Sequence, residues 1–373
     1  MQRQLLFALA LGASVLLAAC GGGSEVSSTS PTIKTTIAVP NSATPPFSFD
    51  ISYADSGKYF LADRNNAAVD VIDTKSNTLI AQIKGGFTGV GATSDTSGPD
   101  GLVGISGTNT VYVGDVNAVK VVDVAAQQVV STIPISTAGH RVDEGCYDPD
   151  DNLIMFSSPG ETPPFATFIS TKTQAIVAKL TFATSTGLEA CVYDSKSKSF
   201  IVNNDGTPAN PEGEANVISA STVVAGAPAV SKVFPLGTCA PTGLALGPNN
   251  DMLVGCSPPA GKPLITLILD RTTGATLANL PFGGVDQVAY DPVSNRYFLP
   301  ARYETSSGIA ASSGFTPLLG VIDASTRTLI DRLPVGTGVH SVAVDGASGQ
   351  AYVPFQPGAA AFPNGGILVV TSH

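Results

Sequence analysis

Asp50-Ile-Ser-Tyr-Ala-Asp55, Lys58-Tyr-Phe-Leu-Ala62, Val69-Asp-Val-Ile-Asp73 and Thr78-Leu-Ile-Ala-Gln-Ile83 follow one another with only a few turn residues between them. Each stretch is short, rich in β-branched and aromatic residues, and bounded by Asp, Ser, Gly or Asn, which is the pattern of strands joined by tight turns. The first stretch recurs as Asp100-Gly-Leu-Val-Gly-Ile105, Asp143-Glu-Gly-Cys-Tyr-Asp148, Glu189-Ala-Cys-Val-Tyr-Asp194, Thr242-Gly-Leu-Ala-Leu-Gly247, Asp286-Gln-Val-Ala-Tyr-Asp291 and His340-Ser-Val-Ala-Val-Asp345. The period is roughly 40–55 residues, the range in which repeats form radial four-stranded sheets.

Seven such units predict an all-β, seven-bladed β-propeller over residues 32–373. The seventh unit ends on a third strand, Gly366-Ile-Leu-Val-Val370, while Ile33-Lys-Thr-Thr-Ile-Ala-Val39 has the fourth-strand pattern at the other end of the chain. Pairing the two would close the last blade and leave the ring without an open seam.

Composition agrees with this reading. Of 373 residues, 39 are Gly and 27 Pro, and only 13% are charged. No long amphipathic helix pattern occurs. The formal net charge of −10 and the lack of a basic stripe exclude nucleic acid as a partner; a monomer is expected.

Residues 1–19 read as a secretory signal, with Arg3 ahead of an apolar stretch too short to span a bilayer. Leu17-Ala18-Ala19-Cys20 resembles the bacterial lipobox, which implies lipidation of Cys20. The small, polar residues 20–31 would then be a flexible tether. Gly21 in place of Asp resembles lipoproteins passed to the outer membrane, so the expected location is the cell envelope, facing the periplasm or the surface.

The repeat resembles the YVTN-type β-propeller family, whose unit runs YVAN…NTVSVIDT…TNKVVATI: Tyr59-Phe-Leu-Ala-Asp63 through Ile83 matches closely and Val111-Tyr-Val-Gly-Asp115 through Ile133 nearly so. The likeness covers almost all of residues 32–373. It implies the fold and leaves the activity open, because propellers serve as enzymes, sensors and binding scaffolds alike.

Turns between first and second strands are uniformly tight, as in Asp55-Ser-Gly-Lys58. Loops 85–99, 158–165, 204–216, 257–263, 302–317 and 356–364, by contrast, are long and share the opposite face. Binding residues concentrate on such loops. The inner strands begin on that face with Asp50, Asp100, Asp143, Glu189, Thr242, Asp286 and His340, which predicts a ring at the mouth of the axial channel, five of its seven members carboxylates. Crowded carboxylates repel unless protonated or neutralised. Channel hydrogen bonds are one way of satisfying them; a Ca²⁺ ion held by Asp100, Asp143, Glu189 and Asp286 is the other. Pro99-Asp100-Gly101-Leu102 is similar to the PDG segment of the six-bladed gluconolactonase and senescence-marker propellers, which implies a divalent cation at Asp100.

Arg64, Arg141, Arg302 and Tyr303 stand on the same face as candidates to grip an anionic ligand, and Phe165, Phe315, Phe355 and Phe362 would form an apolar rim. His140 and His340 are the candidate general bases should a metal-bound water be the nucleophile; His373 ends the chain. No G-x-S-x-G, P-loop or HExxH motif is present. The first reading is therefore a scaffold binding a protein or small ligand on the long-loop face, without catalysis. The alternative is a lactonase-like, metal-dependent hydrolase. An accessory role in a periplasmic redox system has neither a haem-attachment motif nor any Trp to support it.

Beyond Cys20 the cysteines are Cys146, Cys191, Cys239 and Cys256, none in a zinc or haem spacing. Cys239 and Cys256 flank one predicted hairpin and are close enough to bridge. Cys146 and Cys191 occupy inner-strand positions of opposite parity in neighbouring blades, so they face each other across the blade interface and would staple it.

Overall fold

The computed structural model describes residues 30–44, 46–358 and 360–372, which form seven four-stranded antiparallel sheets arranged as a seven-bladed β-propeller. The signal segment, Cys20 and most of the tether lie outside the described residues. Blade one consists of Phe49–Asp55, Lys58–Asp63, Ala68–Asp73 and Thr78–Lys84, from the axis outward. Blades two to six span residues 102–134, 145–181, 188–235, 241–280 and 289–334. In blade seven, Ala343–Asp345, Gln350–Phe355 and Gly366–Thr371 are completed by Ile33–Ile37, which pairs antiparallel with Gly366–Thr371. The closure expected from the sequence is the closure observed.

Local chemistry sets the strand ends. Where the third strand turns into the fourth, Asp73, Asp123, Asp270 and Asp323 each accept a backbone N–H from three residues on, at 2.7–3.0 Å. The next residue then takes a left-handed conformation, at Asn77, Gln127, Gly274 and Arg327. A short Asx-type turn is thus repeated around the ring. Every outer strand also skips one residue of its register near its start, at Lys34, Ile80, Val130, Val177, Ser231, Leu277 and Ile330. A bulged residue has no partner and splays outward, which accounts for the exposed aliphatic side chains of Ile80, Val130, Val177, Leu277 and Ile330.

The core is divided into seven clusters, one at each blade interface. The seam that joins the two ends of the chain is as well filled as the others: Ile37, Phe47, Phe49 and Tyr59 pack on Tyr352, Ile367 and Val369, and the Tyr59 and Tyr352 rings stack at 4.8 Å. Strand parity assigns side chains to opposite interfaces. Ala190 belongs to the cluster shared with blade five, and its neighbour Cys191 to the one shared with blade three. Both expected disulfides are present: Cys146–Cys191 joins blades three and four with Cα atoms 5.7 Å apart, and Cys239–Cys256 closes the inner hairpin of blade five.

The closing strand lends itself to a direct test. Ile37 is 5% exposed at the seam, so Ile37→Ala should lower unfolding stability by about 2–5 kcal/mol, read from urea melts. Removal of residues 1–37 should lower the melting temperature further and expose the edge of Gly366–Thr371 to aggregation, visible in size-exclusion profiles.

Candidate functional site

On the long-loop face the channel opens into a cavity of about 680 Å³. Of the side chains singled out in the sequence, Asp50, Asp143, Glu189, Thr242, Asp286, His340, Arg64, Arg141, Arg302 and Tyr303 all line it. Asp100 stands behind the wall, with no exposed surface, and His140 is not among the lining residues.

Three guanidinium groups organise the carboxylates. Arg64, just past the second strand of blade one, donates from Nε to Asp100 Oδ1 at 2.9 Å, and its Nη2 contacts both Asp50 and Asp100. Arg141 reaches Asp143 at 2.8 Å and lies 3.7 Å from Asp50 and 3.4 Å from Asp95. Arg302 pairs with Asp286 at 2.6 Å and lies over the Tyr303 ring. The grouping differs from the metal set expected from sequence: Asp100 and Asp143 are taken up by arginines, and Glu189 and Asp286 are joined instead by Glu144, with carboxylate oxygens of the three within 4.8 Å of one another.

Glu144 was missed because of the period-2 rule. Next to a channel-facing Asp143, a strand residue should point sideways into the blade, but the inner strand of blade three starts only at Gly145, so alternation does not govern Glu144. Gln287, likewise ahead of the inner strand Ala289–Asp291, donates to Glu144. Adjacent Asp-Glu and Asp-Gln pairs at the ring position are the signal that was available.

Six carboxylates, Asp50, Asp100, Asp143, Glu144, Glu189 and Asp286, thus share three guanidinium groups. Burial works against ionisation of Asp50, but Arg64, with His340 and Arg141, outweighs it and holds this carboxyl well below its usual range. For Asp143 burial prevails over Arg141 and raises the group to about 7. Glu144 and Glu189 have no cationic partner of their own. Burial raises both well above the usual range, with the charge of Asp143 adding most to the first and that of Asp205 to the second. Asp205, in the loop after the second strand of blade four, is itself raised to about 6, chiefly by burial.

The remaining ring members tie blades together. Thr242 Oγ1 lies 2.8 Å from the carbonyl of Val285 in the next unit. His340 is stacked on Phe49 at 4.5 Å, with Nε2 3.2 Å from the Phe49 carbonyl and Nδ1 2.7 Å from that of Gly338. A carbonyl oxygen thus faces each ring nitrogen, so both nitrogens are engaged within the protein. Of the four phenylalanines expected at the rim, only Phe315 reaches the cavity, which Phe49 also lines. Phe355 is fully buried and packs on Phe362, while Phe165 packs between blades two and three under Lys179. Phe165 and Phe355 are end residues of the strands Phe165–Ser170 and Gln350–Phe355, which carry them into the blade interfaces.

No family model matches the chain, and no curated protein matches it. Solved structures do. Kuenenia stuttgartiensis hydrazine synthase superposes with a TM-score of 0.67 at 14% identity, covering 86% of this chain and 94% of that one. A chain of a mitotic checkpoint complex gives 0.63 at 13%, covering 98% of both. The Neurospora crassa Pan2 WD40 domain gives 0.65 at 10%, covering 92% and 96%. All are similar in fold, and at these identities the likeness speaks for the β-propeller alone. The protein is a seven-bladed β-propeller with a charged cavity at its channel mouth, an architecture widely used as a binding scaffold. Among the described residues no helix is long and apolar enough to cross a membrane.

The charge arrangement predicts an inverted pH profile. A carboxyl raised on folding keeps a proton that the unfolded chain releases above about pH 4, so the stability it contributes declines as pH climbs toward its folded-state value. Asp143, Asp205, Glu144 and Glu189 all act in this direction. The melting temperature should therefore be highest near pH 5 and fall by pH 8, and Glu144→Gln with Glu189→Gln should flatten the slope; a profile rising from pH 5 to 8 would contradict the assignment. Arg64→Met, which strands Asp50 and Asp100 without their shared cation, should cost about 3–5 kcal/mol.

Proposed function

We propose that this protein is a cell-envelope-anchored binding propeller that captures a small cationic ligand at the mouth of its central channel. One observation carries the reading: a cavity of about 680 Å³ in which carboxylates outnumber guanidinium groups. Carboxyls buried without a cationic partner keep their protons, and a ligand that brings positive charge would take the place of those protons. The deficit is greatest around Glu144 and Glu189, which, with Asp286 beside them, makes them the contact point for the cation. A divalent ion such as Ca²⁺ and an organic ammonium group both satisfy this requirement. The three neighbouring carboxylates also favour a second reading, a metal-assisted hydrolase, but neither His140 nor His340 is placed to act as its base.

The anchor belongs to the same proposal. The lipobox ending at Cys20 and the polar residues that follow support attachment to the outer membrane through a diacylglycerol thioether, with the propeller as a monomer of YVTN-type repeats in the periplasm or on the surface.

Calorimetric titration with calcium chloride and with n-butylamine, at pH 7.5 and low ionic strength, tests the site. Binding of at least one is expected, weakened about tenfold or more in Glu189→Gln, and heats that show neither bound would remove the reading. For the anchor, Cys20→Ser should move the protein from the membrane fraction to the soluble fraction of cells; retention of the variant in membranes would refute it.

A further inference from the structure

Beside the charged cavity lies a second pocket of about 400 Å³ that no ring residue lines. Its walls include the apolar side chains of Pro258, Leu264, Ala310, Ala311 and Phe315, with the hydroxyls of Ser257, Ser312 and Tyr303 among them. Leu264 and Ala310 are 2% and 7% exposed, so the floor belongs to the packed body of the protein.

The pocket is built by two long loops from neighbouring blades, 257–263 and 302–317, that are laced together. Gly261 N–H donates to the Ala310 carbonyl and Ala310 N–H to the Lys262 carbonyl, both at 2.8 Å. Leu264 N–H donates to Gly308 at 2.9 Å, and Pro263 forms a bridge with Ile309. Backbone pairing of this kind holds the cleft open before any ligand arrives, so little ordering entropy is lost on binding.

The two pockets adjoin along a shared wall. Tyr303 and Phe315 line both, with ring centroids 4.9 Å apart. The same two loop segments contribute to each side: Gly284 to the apolar pocket and Asp286 to the charged cavity, Tyr303 to both and Arg302 to the charged cavity. Gly284 has φ +69°, and a Cβ there would stand 2.5 Å from the Tyr303 backbone, so the close approach that sets the aromatic wall requires glycine. Tyr303 is 38% exposed, an aromatic face uncovered between a polar and an apolar recess.

We infer that the ligand is amphiphilic: an ammonium group seated against Glu144, Glu189 and Asp286, joined to an aliphatic chain that crosses the Tyr303–Phe315 wall into the pocket floored by Leu264 and Ala310. The inference rests on the cationic-ligand reading and specifies the remainder of the molecule. Charge complementarity fixes the head, and the wall shared by the two recesses directs the tail.

The test is a homologous series, n-butylamine, n-hexylamine and n-octylamine, titrated into the full-length protein below their aggregation concentrations. Each methylene that enters the pocket should tighten binding about threefold to fourfold. Ala311 is exposed at the pocket edge, so Ala311→Phe should fill the pocket with little effect on folding, and octylamine should then bind no tighter than butylamine. Equal affinities across the series in the wild-type protein, or a chain-length dependence that survives Ala311→Phe, would overturn the inference while the cationic reading stands. Calcium binding without binding of any amine would likewise leave the cationic reading and discard the amphiphile; absence of binding by calcium and amines alike would discard both.

Discussion

The pairing of Ile33–Ile37 with Gly366–Thr371 is the interaction on which the rest of the molecule depends. A ring of blades has no centre of its own; each sheet is buried only because its two neighbours are present. Opening one seam would bare two apolar faces and an unpaired strand edge together. By joining the ends of the chain within a single blade, the fold makes the closing contact intramolecular and commits residues more than 300 positions apart to each other. The cluster of Phe47, Phe49, Tyr59 and Tyr352 at that seam then gives it the same kind of apolar filling as the other six interfaces.

Seven-fold repetition also creates the electrostatic problem at the axis. Whatever residue type the repeat places at the start of its inner strand is delivered seven times to one narrow opening, and here that type is mainly acidic. Arg64, Arg141 and Arg302 come from outside the ring position and neutralise part of the charge. Glu144 and Glu189 are left to hold protons, since burial disfavours their ionised forms more than any neighbour favours them. On the proposed reading, a mouth charged in this way would sort ligands by the sign of their charge before shape is consulted.

The architecture was legible because every blade must satisfy the same packing on both faces, so the strand pattern repeats and errors in one unit are corrected by six others. Parity along the inner strands was enough to pair Cys146 with Cys191, and the hairpin enough to pair Cys239 with Cys256. Most of the channel-mouth residues followed from the same register. What was not legible arose where registers end. Glu144 and Gln287 precede their strands and escape alternation. The division of Asp50, Asp100 and Asp143 between two arginines depends on side-chain reach that no spacing encodes. The apolar pocket arises from hydrogen bonds between loops 257–263 and 302–317, which are distant in sequence and carry no repeat. Phe165 and Phe355, expected in loops, are the end residues of strands and so pack into the blade interfaces, and Phe362 packs on Phe355.

The irregular register of the outer strands has a consequence for how the disc meets other molecules. Seven edge strands face outward, and a straight one among them would offer a ready template for a foreign strand. Each is interrupted after one or two residues, at Lys34, Ile80, Val130, Val177, Ser231, Leu277 and Ile330, so no run of amides long enough to nucleate a cross-β ladder stays aligned. The aliphatic side chains that the bulges push outward are spaced around the circumference one blade apart instead of gathering into a patch. A rim built in this way tolerates crowding: copies of the disc can jostle side by side without zipping together.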